Sequence, residues 1–151
     1  MYRILFVCLG NICRSPMAEF IMKQMVTEQG IADDFYIESA ATSYEEEGNP
    51  IYPPAKRVLE KRGIKCDQKR ARKVSLSDYD RFDYLVCMDS SNLRDLKAMF
   101  PYDNGKKISK LLDFAGINRD VADPWYTRDF SATEEDVLIG CKALLEYIQN
   151  R

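Results

Sequence analysis

Val7-Cys8-Leu9-Gly10-Asn11-Ile12-Cys13-Arg14-Ser15-Pro16 is the stretch on which the reading of this chain turns. The residues before it, Tyr2 to Val7, are apolar and β-branched enough for a buried strand. After it, Ser15 is a candidate helix N-cap, and Pro16 falls where a missing N–H costs nothing. The segment therefore reads strand, tight loop, helix. Backbone N–H groups from Leu9 to Arg14 can curl into a ring that faces one point, and such a nest at a helix N-terminus binds an anion. Gly10 allows the backbone angles of a tight ring, and Asn11 tolerates them better than most residues.

A thiol at the start of this loop shares its positive field. Cysteines at helix N-termini or beside cations titrate at roughly 3.5–7.5 instead of near 8.5, so Cys8 is expected as a thiolate at neutral pH, able to attack phosphorus. Arg14 offers a planar fork that binds two oxygens of a phosphoryl group at once; lysine would keep the charge and lose that geometry. The plainer alternative is a small core cysteine followed by an ordinary loop, and a bare Cys-x5-Arg pattern recurs by chance. The flanking strand, the Gly-Asn pair and the Ser-Pro helix start all favour the catalytic reading.

At 151 residues the chain is expected to be one domain, 1–151, with a sizeable core. A net charge of -2 gives no field that would draw nucleic acid. The longest apolar run, Ile4 to Leu9, is too short to span a bilayer and lacks the flanks of a signal peptide. A cytoplasmic protein without membrane association is expected. Histidine is absent, which excludes Ser-His-Asp and Cys-His catalysis and histidine-ligated metals. Cysteines stand at 8, 13, 66, 87 and 141, with no Cys-x2-Cys pair, so neither a zinc site nor a disulfide framework is expected. No metal and no cofactor is implied.

Along the chain, Ala18, Ile21, Met22, Met25 and Val26 recur at helical spacing, and Gly30 can end that helix. A strand is predicted from Phe35 to Ala40, then an acidic, turn-rich loop from Ala41 to Pro53. A helix carrying Ala55, Val58 and Leu59 is closed by Gly63. The basic run Lys65 to Lys73 reads as a solvated surface. Asp83 to Met88 is a third strand, with Asp89 capping a helix that carries Leu93, Leu96 and Met99. A fourth short strand precedes or includes Lys107 and Ile108. The last helix places Val137, Leu138, Cys141, Leu144, Leu145 and Ile148 on one stripe. Alternating strands and helices predict an α/β fold: a four-stranded parallel sheet flanked by helices on both faces, with the phosphate-binding loop between the first strand and the first helix. Right-handed crossovers bring the Cys8 loop and the Asp89 turn to one sheet edge, where open α/β sheets bind ligands.

Phosphoryl transfer to Cys8 expels an oxyanion that needs a proton, and without histidine the donor must be a carboxylic acid. Among 24 Asp and Glu residues, Ala122-Asp123-Pro124-Trp125-Tyr126 stands out as a rigid turn carrying one acid and two aromatics. An Asp before Pro is more often merely a turn residue. Trp125 and Tyr126 either wall a slot for an aromatic ring or are ordinary surface aromatics.

The loop resembles the signature of the low-molecular-weight protein tyrosine phosphatases, Val-Cys-x-Gly-Asn-x-Cys-Arg-Ser-Pro, with every fixed position present. The segment Phe82 to Asp89 with Asn92-Leu93 is also similar to that family, as is Asp123-Pro124-Trp125-Tyr126 followed by Asp129 and Phe130. The resemblance implies a phosphotyrosine protein phosphatase that works through a cysteinyl-phosphate. Cys8 is then the nucleophile, Arg14 the transition-state cation and Asp123 the general acid. Leu9, Gly10, Asn11, Ile12 and Cys13 contact the phosphate, and Ser15, if not merely the N-cap, donates to the Cys8 thiolate. Trp125, Tyr126 and, opposite them, Tyr44 frame the ring. The family's arginine-phosphatase branch carries Thr after Gly-Asn; Ile12 here points to phosphotyrosine. The chain departs from many members at Ala41, usually Gly, and at Tyr44-Glu45, usually Trp-His. Family members also protect the nucleophile with a disulfide, here Cys8–Cys13. Partners implied are phosphotyrosine proteins or small aryl phosphates, with the chain a monomer or weak dimer. Competing readings are a protein-arginine phosphatase, a thioredoxin-coupled arsenate reductase, a phosphocysteine carrier and an inert phosphopeptide-binding module.

Overall fold

The computed structural model describes all 151 residues. Its centre is β1, Tyr2–Cys8, whose side chains alternate between two apolar layers: Ile4, Phe6 and Cys8 enter one core, Leu5 and Val7 the other. A strand buried on both sides needs cover on both faces, and the rest of the chain supplies it. β1 is followed by α1 (Arg14–Glu28), β2 (Phe35–Ala41), α2 (Pro53–Lys61), the short α3 (Asp78–Arg81) and β3 (Tyr84–Cys87). α4 (Ser90–Met99), β4 (Ile108–Lys110), the short α5 (Pro124–Thr127) and α6 (Phe130–Gln149) complete it. Both β2 and β3 pair in parallel with β1, and β4 pairs with β3, giving the order β2-β1-β3-β4. The doubly covered parallel sheet is as expected.

The larger core joins Ile4, Phe6 and Val86 to α1 (Met17, Ile21, Met22) and α6 (Val137, Cys141, Leu144). The smaller one packs Leu5, Val7 and Leu85 against Phe82, Leu96 and Phe100. Each fully buried side chain of this size contributes roughly 1.5–3 kcal/mol, enough to fix the register of β1 and so the position of Cys8 at its tip. Gly140 lets α6 come close: a Cβ there would stand 2.3 Å from the Cγ of Leu111. No helix is long and apolar enough to cross a membrane.

Two expectations are corrected. Helix α1 opens at Arg14 with Cys13 at its N-cap, so Ser15 lies inside the first turn and caps nothing. A helix that opens without a side-chain cap keeps its first N–H groups free for an anion. Likewise, the Lys65–Lys73 run is only partly solvated. Lys69 and Arg72 turn inward onto Glu19, Glu38 and Asp78.

Candidate active site

The chain leaves β1 at Cys8 and curls through Asn11, whose φ of 60° is left-handed. Asparagine is one of the few side chains that accept that conformation, because its amide can bond locally. Here the amide is fully used. Its Nδ2 donates to Ser15 Oγ at 2.8 Å and to Ser39 Oγ at 2.9 Å, while its Oδ1 accepts the Arg72 N–H at 3.2 Å. The Asn11 backbone N–H points at Cys8 Sγ, 3.3 Å away. Ser15 Oγ lies 2.9 Å from the same sulfur. Since Asn11 already donates to Ser15 Oγ, the Ser15 proton is directed at the sulfur, where it stabilises a thiolate.

Behind the loop, the Ser39 hydroxyl donates to Glu19 Oε1 at 2.5 Å. Glu19 is buried on α1 and balanced by Lys69 at 3.3 Å and Lys23 at 2.6 Å. Lys69 also donates to the Ser39 carbonyl at 2.8 Å. Burial pulls the Lys69 ammonium below its usual range, against the attraction of Glu19. Two buried charges and three polar side chains thus satisfy one another beneath the Cys8 loop. Glu19 stood among apolar positions of α1 in the sequence, a signal that it needed a buried partner.

Arg14, only 5% exposed, is held from the opposite side of the loop. One amino group donates to Asp89 Oδ2 at 2.9 Å and lies 3.4 Å from Asp123 Oδ2; the other donates to the Val121 carbonyl at 3.2 Å. Burial opposes the guanidinium charge, yet Cys8, Asp123 and Asp89 together raise its pKa. Asp89 caps α4 as expected, accepting from the Asn92 N–H at 2.7 Å, and with its other oxygen fixes the plane of Arg14. Asp123 likewise caps α5, accepting from Trp125 N at 3.0 Å. Asp123 is thus a turn residue that also faces the Arg14 guanidinium in the cleft.

The cleft above Cys8 is lined by the loop from Leu9 to Arg14, by Asp123, Trp125 and Tyr126, and by Glu45 and Glu46. Trp125 is braced from behind by Tyr52, with ring centroids 4.8 Å apart, and Tyr52 stacks in turn on Phe130. Ile12 packs with Cys13 and Ala71 beside these rings. Tyr44 is not in the cleft lining. Its exposed ring sits under the Lys73 ammonium at 5.0 Å, and the next two residues, both acidic, take the wall instead. Tyr52, Glu45, Glu46, Ser39 and Glu19 were not singled out by the sequence.

All five cysteines are free thiols. Burial, helped by the neighbouring Cys8, pushes the Cys13 thiol up to about 12. Burial likewise raises Cys87 to about 12 and lifts Cys66 and Cys141. Cys13 is therefore held as a protonated thiol beside Cys8.

Comparison with known proteins agrees with this geometry. The sequence profile of the family described as low molecular weight phosphotyrosine protein phosphatase matches residues 3–151. The chain is 39% identical to the low molecular weight protein-tyrosine-phosphatase YfkJ of Bacillus subtilis, over 99% of this chain and 97% of that protein. It is 41% identical to the low molecular weight phosphotyrosine protein phosphatase of Rattus norvegicus, over 95% and 93%. The YfkJ crystal structure superposes with a TM-score of 0.95, covering 99% of this chain and 96% of that one. That of the drosophila arginine phosphatase superposes with a TM-score of 0.87 at 31% identity, covering 96% of each chain.

Proposed function

This chain belongs to the low molecular weight phosphotyrosine protein phosphatase family, and we propose that it hydrolyses aryl phosphate esters, phosphotyrosine in proteins above all, through a cysteinyl-phosphate on Cys8. The observation that carries the reading is the convergence on one cleft of the Cys8 sulfur, the buried Arg14 guanidinium and the Asp123 carboxyl. In the first step the Cys8 thiolate forms an S–P bond as the ester O–P bond breaks. The protonated Asp123 carboxyl gives its proton to the departing oxygen. Arg14 and the loop amides stabilise the three equatorial oxygens, a role suited to groups already fixed before the reaction. In the second step water attacks phosphorus, its proton passes to the Asp123 carboxylate, and the S–P bond breaks. The Ser15 hydroxyl, aimed at the sulfur, eases departure of the thiolate.

Trp125, braced by Tyr52, supports an aromatic slot, and the apolar Ile12 supports phosphotyrosine over phosphoarginine. An arsenate-reductase cycle would need two further reactive thiols, and Cys66 and Cys87 are both buried. We extend the reading to a cytoplasmic enzyme, where five unpaired cysteines stay reduced. It acts on phosphotyrosine proteins as a monomer or weak dimer.

The test is turnover of p-nitrophenyl phosphate in EDTA. Activity should persist, vanadate should block it and Cys8→Ser should abolish it. Asp123→Ala should lower kcat/KM for phenyl phosphate by about 10² to 10⁴, and much less for p-nitrophenyl phosphate, whose leaving group needs little help. Equal losses on both substrates would remove Asp123 from the acid role, and full activity of Cys8→Ser would refute the covalent route. Faster hydrolysis of phosphoarginine than of phosphotyrosine peptides would transfer the chain to the arginine reading.

A further inference from the structure

The residue before Asp123 has both of its backbone groups taken by α6. The Ala122 N–H donates to Asp136 Oδ2 at 2.9 Å, and the Ala122 carbonyl accepts from Thr133 Oγ1 at 2.8 Å. Thr133 and Asp136 stand three residues apart and so project from the same side of the helix. Thr133 is fully buried and Asp136 is 5% exposed.

Neither contact is what the helix itself would ask for. A helical threonine ordinarily bonds the carbonyl one turn back; here that carbonyl, of Asp129, is 3.5 Å away and the loop carbonyl is nearer. A buried carboxylate is costly unless paired, and Asp136 is paired by Arg119, which binds both its oxygens at 2.8 and 2.7 Å. That pair closes the loop's own N-terminal side back onto α6. The preceding residue, Val121, is tied to the other half of the site: its carbonyl accepts from Arg14 and its N–H donates to the Met88 carbonyl at 2.9 Å. The approach to Asp123 is therefore pinned at two successive peptides: the Val121–Ala122 peptide is held between Arg14 and Asp136, and the Ala122–Asp123 peptide is held by Thr133.

We propose that Thr133 and Asp136 are positioning residues for Asp123, clamping the two peptides that flank Ala122 so that the acid's carboxyl is held where the leaving oxygen will be. The proposal rests on Asp123 being the general acid. Losing one buried hydrogen bond from such a clamp corresponds to about a five- to tenfold effect. It falls on proton transfer and not on phosphate binding.

The experiment measures kcat/KM for phenyl phosphate and p-nitrophenyl phosphate, with vanadate inhibition alongside. The variants are Thr133→Val, Thr133→Ser, Asp136→Asn and Asp123→Ala, and each of Thr133→Val and Asp136→Asn is also made in the Asp123→Ala background. Thr133→Val and Asp136→Asn are expected to lower the phenyl phosphate value about five- to tenfold and the p-nitrophenyl phosphate value less than about twofold. Vanadate inhibition should be unchanged, Thr133→Ser should restore the phenyl phosphate rate, and neither substitution should cost anything further once Asp123 is Ala. Equal losses on both substrates, no loss at all, or a loss that persists without Asp123 would each overturn the clamp. If Asp123→Ala itself shows no leaving-group dependence, the acid assignment fails and takes the clamp with it. If Asp123→Ala shows that dependence and the α6 variants do not, the clamp alone fails. Should Thr133→Val not fold, Asp136→Asn makes the same comparison.

Discussion

Asn11 is the residue whose replacement tests the loop most directly. Its amide makes three hydrogen bonds, to Ser15, Ser39 and the Arg72 N–H, all inside the protein. At about 1 kcal/mol net for each, Asn11→Ala loses about 3 kcal/mol from these bonds. Holding alanine at a φ of 60° adds about 1 kcal/mol more. Asn11→Gly loses the same three bonds without that strain, at a cost of roughly 0.5–1 kcal/mol in unfolded-chain entropy. The two variants should therefore be destabilised to within about 1 kcal/mol of each other, near 3–4 kcal/mol below the parent. Urea unfolding followed by circular dichroism measures this. Without Asn11, nothing directs the Ser15 proton at the sulfur, and the loop amides are free to turn away from the oxyanion. Removal of one such donor typically costs 10² to 10³ in rate, so kcat/KM should fall by about that factor and vanadate should bind more weakly. If Asn11→Gly retains parental stability and activity within a fewfold, the backbone angle alone matters and the network argument is wrong.

Two further outcomes follow from the thiols and the buried carboxylates. Peroxide converts the Cys8 thiolate to a sulfenic acid, which the Cys13 thiol can condense with, releasing water and forming a disulfide. Dithiothreitol should then restore the parent after brief peroxide treatment and fail to restore Cys13→Ala; equal recovery would contradict protection by Cys13. Asp78 is fully buried, and although burial opposes its charge, Arg72 and the Ser75 N–H hold its pKa below 3.8. A carboxylate depressed on folding contributes stability above its unfolded value that is lost as pH falls through the folded one. The urea midpoint of the parent should thus drop between about pH 5 and pH 2, and Asp78→Asn should be less stable at neutral pH with a shallower acid limb. An unchanged acid limb would show that Asp78 does not govern it.

Much of this was legible from ten residues because strand, loop and helix each carried a local signal that agreed with the others. The apolar run to Val7, the Gly10-Asn11 pair and the Ser15-Pro16 start placed the loop between β1 and α1 to within two residues. The two-residue error at Ser15 has a physical source. Propensity assigns a serine before a proline to the cap, whereas the tertiary structure turns its hydroxyl onto Cys8. Glu19 carried a signal, a charge among apolar positions, but not which residues meet it: Ser39 and Lys69 lie 20 and 50 residues away in sequence. The basic run misled for the same reason: solvation is the default for lysine and arginine, and only the fold shows which carboxylates they face. Tyr44 lies outside the cleft because the turn presents Glu45 and Glu46 to it and leaves the Tyr44 ring with Lys73, and sequence spacing does not fix which residues of a turn face inward.

The charges that line the cleft sharpen what binds phosphate. Among the lining side chains one cation, Arg14, stands against the two carboxylates of Glu45 and Glu46, with Asp123 protonated for its role as the acid and the proposed Cys8 thiolate adding further negative charge. Side-chain charge by itself would therefore repel a phosphate dianion. What attracts, beside Arg14, is the set of backbone dipoles of the loop and the N-terminus of α1, which act at hydrogen-bond distance on a bound anion. Dipoles do this only when oriented, because a peptide turned by a third of a circle changes sign toward the ligand. The orientation is set at one residue, Asn11, in a backbone conformation that most side chains resist, and it is held by Ser39, Glu19 and Lys69 from beneath. The buried ion pair beneath the loop and the anion site above it are thus parts of one device. Its lower half spends stability on desolvated charge to fix the direction of the amides in its upper half.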